Sequence, residues 1–430
     1  MTPAIARLAY TLAFYLATPL VWLRLAWRAR RQPEYLRHVG ERYGFYPPAP
    51  PNPLIWLHAV SVGETRAAAP LIDALLREYP RHTLALTHMT PTGRAAGAET
   101  VARHEGRVVQ AYLPYDLPDA CARFLAHFRP QCGLLMETEL WPNLIAAAHA
   151  RGVPLALVNA RLSARSARGY ARFGALARPA FAALTGVAAQ TPADAERLRG
   201  LGASKVEICG NLKFDVTPAD DKLRLGADWK QALGTRPAWL AASTREGEEG
   251  AIIEAFDTLR AALPDALLIL VPRHPQRFDE VAALLEARGL RYCRRSQNVL
   301  PDDATQVWLG DSMGEMATWY AAADLALIGG SLLPFGGQNL IEAAACGCPV
   351  LVGPHTFNFA QAAEDAVACG AARRVADAGN AARTAAELLR DREKLGAMRE
   401  AALAFSRAHR GATTRTVALI REISGLRTGS

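Results

Sequence analysis

Short apolar segments recur along most of the chain, and longer alanine-rich segments with helical character separate them. Each apolar segment is hydrophobic throughout, which is typical of a strand covered on both faces of a parallel sheet. Such strands alternating with helices predict an α/β fold. The strands predicted in the first half lie at 54–60, 82–88, 108–114, 132–138, 154–160, 186–190 and 206–211. Those predicted in the second half lie at 238–244, 266–273, 305–311, 325–331 and 348–354.

A proline and several acidic residues interrupt this pattern at 213–222, which indicates a linker. Because 430 residues are too many for one ordinary core, we predict two Rossmann-like, doubly wound domains. In such sheets ligands bind beyond the carboxyl ends of the strands, so two of them facing each other predict a cleft lined by strand–helix turns. The predicted boundaries are 1–31 for an N-terminal segment, 32–215 for the first domain and 216–430 for the second.

The first 31 residues differ in composition from the rest of the chain. No charged residue lies between Arg7 and Arg24, whereas residues 24–31 contain four arginines. The uncharged segment is shorter than the roughly 20 residues of a comfortable membrane span, and Pro19 interrupts it. Its tyrosines and tryptophans suit an interfacial depth. We expect an N-terminal membrane anchor, spanning or interfacial, with its arginines on the cytoplasmic side; the alternative is a buried amphipathic helix of the first domain.

The formal net charge of +8 indicates attraction to an anionic partner, such as nucleic acid, a phospholipid surface or a phosphorylated substrate. The chain has no zinc-finger spacing, aromatic RNA-binding signature or lysine-rich tail, so we expect no nucleic-acid partner. It also lacks G-x-G-x-x-G after the first predicted strand, the P-loop pattern and H-E-x-x-H. These absences disfavour a dehydrogenase, a P-loop kinase and a zinc hydrolase.

Three turns after predicted strands share the pattern Ser-x-x-Glu, at 61–64, 243–246 and 312–315. This is the capping box, in which both side chains satisfy backbone amides at a helix start. Helix N-termini also attract anions, so a phosphate could sit at Ser243 or Ser312. Glu64 follows the first strand, near His58 and Arg66 in the sequence, where a general base would be placed. On local grounds Glu64 is either a base or a cap.

Other charged side chains also follow predicted strands. Glu137 and Glu139 end the fourth strand, and they would share one face if that strand stays extended. Carboxylates at this end of a strand favour a functional role over a surface pair. Lys213, Arg245 and Arg273 follow other strands, and these cations are of the kind that hold phosphate or carboxylate groups.

Two further segments complete the candidate residues. The arginines at 161–172 are interpreted as a solvated helix face. The glycine-rich turns at 329–331 and 336–337 would let the backbone approach a ligand closely. Glu342, one turn into the helix that follows, could accept hydrogen bonds from both hydroxyls of a ribose.

Eleven segments, in order along the chain up to about residue 360, resemble the 3-deoxy-D-manno-octulosonic acid (Kdo) transferases of lipopolysaccharide synthesis. They are HAVSVGET (58–65), MTPTGR (89–94), YLPYDLP (112–118), METELWPN (136–143), NARLSARSARGYARF (159–173), GNLKFD (210–215), ASTREGEE (242–249), LVPRHPQRF (270–278), DSMGEM (311–316), GGSL (329–332) and GGQNLIEAAACGCPVLVGPHTFNF (336–359).

The resemblance implies a GT-B glycosyltransferase fold. In this arrangement the domain at 32–215 would bind the acceptor and the domain at 216–430 the CMP-sugar donor. The implied donor is CMP-Kdo, and the implied acceptor is a tetra-acylated, bis-phosphorylated lipid A precursor. The family acts at the cytoplasmic face of the inner membrane, which agrees with the anchor expected from the first 31 residues.

The resemblance also implies roles for individual residues. Glu64 corresponds to the catalytic base, and Glu137 and Lys213 correspond to residues assigned to transition-state stabilisation. Many members have histidine where this chain has Gln338, which keeps hydrogen bonding but removes a titratable group. The implied contacts to CMP are Pro272, Arg273, Met313, Gly314, Glu315, Asn339, Leu340, Ile341 and Glu342.

Together, the residues and the resemblance predict an inverting transfer. Glu64 would take the proton of an acceptor hydroxyl as it attacks the anomeric carbon. Lys213 and the helix starts near Ser243 and Ser312 would offset the charge of the leaving CMP. Arg245 and Arg273 would hold the phosphate or the sugar carboxylate.

A monophosphate leaving group needs no diphosphate-chelating metal, so we expect no metal and no cofactor besides the donor. Two alternatives stay open at this point. One is a UDP-sugar transferase of the same fold, or the related epimerase. The other is a membrane-bound binding protein without catalysis.

Overall fold

The computed structural model describes residues 2–426. The chain divides into two compact units, residues 2–216 with 410–426 and residues 217–409. The first unit contains a seven-stranded, all-parallel sheet in the order β3-β2-β1-β4-β5-β6-β7. Its strands are β1 (Leu54–His58), β2 (Thr83–His88), β3 (Val108–Tyr112), β4 (Cys132–Met136), β5 (Leu155–Ala160), β6 (Gly186–Ala189) and β7 (Val206–Ile208).

The helices of this unit connect the strands and cover the sheet. Leu54 and Trp56 of β1 pack into the core on one face, whereas Ile55 and Leu57 pack into the core on the other. This alternation confirms that the apolar strands are buried on both faces. The helices are α1 (Pro3–Ala29), α2 (Val62–Glu78), α3 (Pro91–Arg103), α4 (Pro118–Phe128), α5 (Pro142–Ala150), α6 (Ala164–Arg172), α7 (Gly174–Ala182) and α8 (Pro192–Gly200).

The second unit repeats this architecture, with a parallel sheet in the order β10-β11-β9-β8-β12-β13-β14. Its strands are β8 (Ala238–Thr244), β9 (Leu267–Pro272), β10 (Tyr292–Arg294), β11 (Val307–Leu309), β12 (Leu325–Ile328), β13 (Val350–Val352) and β14 (Ala372–Arg374). Its helices are α9 (Asp220–Leu233), α10 (Glu248–Ala262), α11 (Phe278–Ala287), α12 (Met316–Ala322), α13 (Leu340–Ala345), α14 (Ala360–Ala368), α15 (Ala378–Arg390) and α16 (Arg392–Ala408).

The structure contains each strand predicted from the sequence, and two strands that were missed. The missed strands, β10 and β14, are three residues long and lie at the two edges of the second sheet. Both contain arginine and are only partly buried, so neither forms a continuous apolar segment.

The C-terminal helix α17 (Ala412–Ser424) belongs to the first unit, whereas the sequence analysis placed residues 216–430 together in the second domain. Leu419 and Ile420 of this helix are buried in the core of the first unit. The Asp215 carboxylate accepts hydrogen bonds from the amides of Gly411 (2.7 Å) and Thr413 (2.5 Å) at the start of the helix. The predicted helical tail is therefore present, but its last helix packs on the earlier sheet.

The strand order reverses at one pair of neighbouring strands in each sheet, β1 and β4 in the first and β8 and β12 in the second. In doubly wound sheets, the crevice beyond the carboxyl ends of such a pair is where ligands bind. Glu64, Glu137, Arg245 and residues 339–342 follow these four strands, whereas the other selected residues lie at the ends of β7, β8, β9 and β11.

Candidate active site

Glu64 occupies the first turn of α2, at the reversal point of the first sheet. Ser61 is the N-cap, and its Oγ accepts a hydrogen bond from the Glu64 amide (3.3 Å). The Glu64 carboxylate accepts from the Ser61 hydroxyl and from the Val60 amide, both at 2.9 Å. The capping interaction predicted for this turn is therefore confirmed.

The environment of the Glu64 carboxylate is nevertheless unlike that of a simple cap. Burial raises its pKa above the usual range, and the nearby charge of Glu137 raises it further. The Val60 amide, the Ser61 hydroxyl and the Lys213 ammonium act in the opposite direction. A carboxylate with a raised pKa beside a second carboxylate and a cation is a typical setting for a general base.

Glu137 lies in a strained turn at the end of β4. The strand ends at Met136, and Glu137 has a φ angle of 57°, in the left-handed region that non-glycine residues rarely adopt. The Glu137 amide donates to the Val158 carbonyl (2.9 Å), which keeps the turn attached to β5. Glu137 and Glu139 were expected to share one face only if the strand stayed extended, and this condition is not met because the chain turns at Glu137. Backbone strain of this kind is concentrated at functional sites.

Lys213 lies in a 3-10 turn, Leu212–Asp215, after β7. Two asparagines hold this turn: Asn211 Oδ1 accepts from the Lys213 amide, and Asn159 Oδ1 accepts from the Leu212 amide, both at 3.0 Å. The turn directs the Lys213 side chain toward Glu137, with 3.4 Å between Nζ and Oε1. The structure thus brings Glu64, Glu137 and Lys213 together, as the sequence analysis requires.

Glu139 is a third carboxylate of this group, and no separate role was predicted for it. Burial raises its pKa to about 7, and the charges of Glu64 and Glu137 add to the effect. The Glu139 carboxyl therefore holds a proton more readily than an exposed glutamate does. Glu139 was visible in the sequence as the second acid of the 136–143 segment. Its raised pKa could not be predicted, because it depends on burial in the folded protein.

His58 and Arg66 do not form part of this group. His58 is fully buried, its Nδ1 lies 2.9 Å from Thr87 Oγ1, and burial lowers its pKa to about 3. Its imidazole is therefore neutral at physiological pH. Arg66 is exposed. The charges that act on Glu64 are therefore those of Glu137 and Lys213, and not those of its sequence neighbours His58 and Arg66.

The predicted capping boxes at 243–246 and 312–315 are wrong. Ser243 is still in β8 with a φ angle of 57°, and the next helix, α10, begins at Glu248 after Gly247. Helix α12 begins at Met316, and the Ser312 hydroxyl donates to the Glu315 carboxylate without capping the helix. Strand β8 continues through Ser243 to Thr244, so this serine cannot be an N-cap. Helix α12 begins four residues after Ser312, which is too far for Ser312 to cap it.

Glu248, which the sequence analysis missed, organises the reversal point of the second sheet. Its carboxylate is buried and accepts hydrogen bonds from the amides of Arg245 (2.9 Å), Gly330 (2.7 Å) and Leu332 (3.0 Å). These amides belong to the turns after β8 and β12, so one side chain joins both turns. Gly329 is required beside them, because a Cβ there would lie 2.4 Å from the Ser243 carbonyl oxygen.

Cationic side chains gather at the carboxyl ends of β8 and β9. Burial lowers the pKa of His274, and the positive charges of Arg245, Arg273 and Arg277 lower it further. Pro272 is buried at the end of β9, and the Arg273 amide donates to the Thr244 carbonyl (2.9 Å). This group of arginines suits a phosphate or carboxylate ligand. The structure therefore brings Arg245 and Arg273 together.

The remaining predicted donor contacts lie after β11 and β12. Met313 is exposed, Gly314 has a φ angle of 79°, and the Glu315 carboxylate lies 3.0 Å from the Arg295 guanidinium. Asn339 caps α13 by accepting from the Ile341 amide (3.2 Å). Leu340 and Ile341 have buried side chains, which leaves only their backbone for a ligand.

Glu342 is only partly buried and lies near Tyr320 of α12. Burial raises the pKa of the Tyr320 hydroxyl, and the Glu342 charge adds to this rise. Glu342 was expected one turn into the helix, but α13 begins only at Leu340, so Glu342 lies within its first turn.

The chain is similar to known proteins over most of its length. Residues 37–216 match the family model described as 3-deoxy-D-manno-octulosonic-acid transferase (kdotransferase), and residues 250–405 match glycosyl transferases group 1. The chain is 51% identical to a 3-deoxy-D-manno-octulosonic acid transferase of Bordetella pertussis, over 97% of this chain and 99% of that protein. It is 39% identical to the protein of the same name in Haemophilus influenzae, over 96% and 98%.

A solved structure of similar architecture is the UDP-GlcNAc 2-epimerase of Neisseria meningitidis. It superimposes with a TM-score of 0.58 at 16% sequence identity, covering 86% of this chain and all of the epimerase. Identity this low shows only a shared fold. With the group 1 glycosyltransferase match, it confirms the predicted GT-B glycosyltransferase fold.

Proposed function

The chain belongs to the 3-deoxy-D-manno-octulosonic acid transferase family, a family of glycosyltransferases, and we propose that it moves Kdo from CMP-Kdo to a hydroxyl of the tetra-acylated lipid A precursor. The proposed reaction inverts the configuration of the anomeric carbon. The first unit supplies the base and the acceptor contacts, and the second unit supplies the donor contacts.

One observation carries the proposal: the partly buried Glu64 carboxylate lies at the reversal point of the first sheet, beside Glu137 and Lys213. Its two hydrogen bonds to Val60 and Ser61 fix its position without using all of its lone pairs. Burial favours proton uptake, so the carboxylate can accept the proton of an attacking hydroxyl. The proton passes from the acceptor oxygen to Glu64 as that oxygen bonds to the anomeric carbon and CMP leaves.

In this proposal Lys213 and Glu137 stabilise the charges that develop during the transfer. The anomeric carbon becomes more positive and the leaving phosphate more negative as the bond to CMP breaks. Glu137 stabilises the first of these charges or orients Lys213, and the Lys213 ammonium stabilises the second. Groups fixed in place before the reaction are effective because they need no reorganisation when the charge develops.

The second unit supports the choice of an anionic donor. Arg245 and Arg273 are the candidates for the phosphate or the Kdo carboxylate, and the Asn339 to Glu342 segment is the candidate for the nucleoside. The corrected helix boundaries remove the support for a phosphate on a helix start at Ser243 or Ser312. A monophosphate leaving group needs no chelating metal, and we propose that these arginines take that role.

The proposed location is the cytoplasmic face of the inner membrane. Helix α1 is long and apolar enough to cross a membrane by length and composition, and its outer side chains are exposed. An anchored enzyme would meet a lipid acceptor in the plane of the bilayer. The net charge of +8 would favour a bis-phosphorylated lipid and an anionic surface.

Mass spectrometry of the lipid A precursor after incubation with CMP-Kdo tests the proposal. We expect a mass gain of one or more Kdo residues, and no gain would refute the assignment. Competition distinguishes the UDP-sugar alternatives, because CMP should inhibit the transfer and UDP should not. Full activity after treatment with a chelator is expected, and a loss that added divalent cation restores would contradict the metal-free mechanism.

A further inference from the structure

We infer that α1 lies in the plane of the membrane interface, docked along the first unit, and does not cross the bilayer. This inference rests on the membrane location proposed above, and it concerns the orientation of the anchor, which neither the sequence nor the family membership decides. The partner is the surface of an anionic phospholipid bilayer.

The docked face of α1 contacts the first unit from one end of the helix to the other. Its members recur at helical spacing and are buried or partly buried, and polar contacts of one member and of one exposed neighbour reinforce the packing. Thr11 exchanges hydrogen bonds with the side chain of Asn143, at 3.0 and 3.1 Å. The Tyr15 hydroxyl, at the edge of this face, donates to Asp119 (2.6 Å). The docked face comprises Ala6, Tyr10, Thr11, Phe14, Val21 and Leu25.

Both ends of the helix are held as well. Near the N-terminus, Pro3 lines a shallow surface depression with Arg172 and Arg178, and α1 packs against α7. Near the C-terminus, Arg28 Nη1 donates to the Tyr35 hydroxyl (3.3 Å), and Trp22 stacks on Tyr43. The contacts therefore extend along a helix about 40 Å long.

Because α1 contacts the first unit along its whole length, it cannot keep these contacts and also span the bilayer. The hydrocarbon core is about 30 Å thick, so a spanning α1 would carry its contacts into it. Asp119 is paired with Arg123 at 2.7 Å, and both side chains are substantially exposed. Exposed ionised groups and the polar surfaces of α4 and α5 would have to enter hydrocarbon, which is strongly unfavourable.

The opposite face of α1, its outer face, has the composition of an interfacial helix. Its seven large apolar side chains are between 55% and 79% exposed and recur every three or four residues. They form one stripe along the full length, as expected for side chains that dip into the boundary between headgroups and acyl chains. The outer face comprises Ile5, Leu8, Leu12, Leu16, Leu20, Leu23 and Trp27.

The charges around this stripe favour a phospholipid surface over a second protein. Arg24, Arg30 and Arg31 are exposed at the C-terminal end, and Arg172 and Arg178 are exposed beside the N-terminal end. Cations at both ends of an apolar stripe match anionic headgroups flanking a shallow apolar layer. No acidic residue lies in α1.

Accessibility labelling in intact membranes tests the orientation in the full-length protein. Thr2→Cys places a thiol at the start of α1, and the native, exposed Cys369 of the second unit is the internal reference. A membrane-impermeant maleimide is applied to spheroplasts and to inverted inner-membrane vesicles, and peptide mass spectrometry locates the label. We expect both thiols to react only in inverted vesicles. Reaction of the introduced thiol in spheroplasts, or only after detergent, would overturn the inference.

Flotation with vesicles of phosphatidylcholine and phosphatidylglycerol tests the outer face itself. Leu16→Gln with Leu20→Gln should lower the ratio of bound to free protein at least about tenfold, because two exposed leucines that insert into the membrane boundary in this proposal are lost. The matched control is Leu300→Gln, an exposed leucine of the second unit, which should bind as the wild type does. Unchanged binding of the double variant with a change in its sedimentation would show a contact between copies and overturn the inference.

These measurements do not depend on turnover, so the two proposals fail separately. Absence of Kdo transfer with the expected labelling would reject the proposed reaction and leave the orientation of α1 standing. Kdo transfer with the introduced thiol labelled from the periplasmic side would do the reverse.

Discussion

The Nζ atom of Lys213 lies 3.4 Å from Oε1 of Glu137, and this pair connects the turn after β7 with the turn after β4. Both side chains are about one-fifth exposed, so the pair is neither a surface ion pair nor a buried structural one. It also lies close enough to Glu64 to influence the pKa of that carboxyl. A partly shielded ion pair beside a candidate base is an arrangement that can respond to charge developing in a bound substrate.

Lys213→Ala should lower kcat by about 100-fold or more, because a fixed cation that stabilises the leaving group is lost. Steady-state kinetics with CMP-Kdo and the lipid acceptor provide the measurement. Lys205→Ala is the matched control, since Lys205 pairs with Glu422 on the surface of the same unit, before rather than after β7. A kcat for Lys213→Ala as high as that of the control would exclude the proposed role.

Glu139→Gln should change the pH dependence of stability. The folded-state pKa of about 7 lies above the usual value of a glutamate, so the folded protein holds this proton more tightly than the unfolded chain. The carboxyl therefore costs stability progressively as pH rises from about 4.5 to 7. The variant should be more stable than the wild type by about 1–2 kcal/mol at pH 8 and equal to it at pH 4.

Thermal unfolding across this pH range provides the measurement for Glu139. Glu105→Gln, which changes an exposed carboxylate of the same unit, is the control and should show no such divergence. A difference in unfolding temperature between wild type and Glu139→Gln that stays the same at all pH values would contradict the raised pKa.

Glu248→Gln should destabilise the second unit by about 2–3 kcal/mol, because a neutral amide replaces a buried carboxylate that accepts three backbone hydrogen bonds. It should also raise KM for CMP-Kdo, since the turns after β8 and β12 both lose their support. Glu246→Gln is the control two residues away, on an exposed side chain. Equal unfolding temperatures for the two variants would show that Glu248 does not organise these turns.

Arg245→Ala should raise KM for CMP-Kdo about tenfold or more while changing kcat less, because charge-assisted hydrogen bonds to the donor are lost. The Arg245 guanidinium stacks over Phe335 at 4.6 Å, so some loss of packing will accompany the change. Arg288→Ala removes a surface partner of Glu254 in the same unit and should leave donor binding intact. Donor titration by calorimetry or kinetics would reject the assignment if the two variants bound alike.

Much of the fold was predictable because a continuous apolar segment between helical segments indicates a strand that is buried on both faces. The strands at 54–60 and 238–244 were visible for this reason, and the structure has them as Leu54–His58 and Ala238–Thr244. The strands at Tyr292–Arg294 and Ala372–Arg374 were not, since short edge strands need no continuous apolar segment. Helix α17 could not be assigned to the first unit, because that depends on contacts with Asp215 and a distant core.

In the candidate site, too, sequence patterns predicted some features, whereas others depend on contacts that form only in the folded protein. Three turns share the Ser-x-x-Glu pattern, yet only Ser61 caps a helix, because the end of each strand decides whether the serine stands at the helix start. That Lys213 lies near Glu137 was expected only from the catalytic roles that the resemblance implies for both residues. The support that Glu248 provides was not predicted, because two of its three partners, Gly330 and Leu332, lie more than 80 residues away in the sequence.

The most direct test compares kcat for Glu64→Gln with kcat for Ser61→Ala. Both substitutions remove part of the cap of α2 and should cost about 1 kcal/mol of stability, but only the first removes the carboxylate. We predict that Glu64→Gln lowers kcat at least about 100-fold while CMP still binds, and that Ser61→Ala keeps most of the activity. Comparable turnover in the two variants would show that Glu64 is only a cap and would contradict the account.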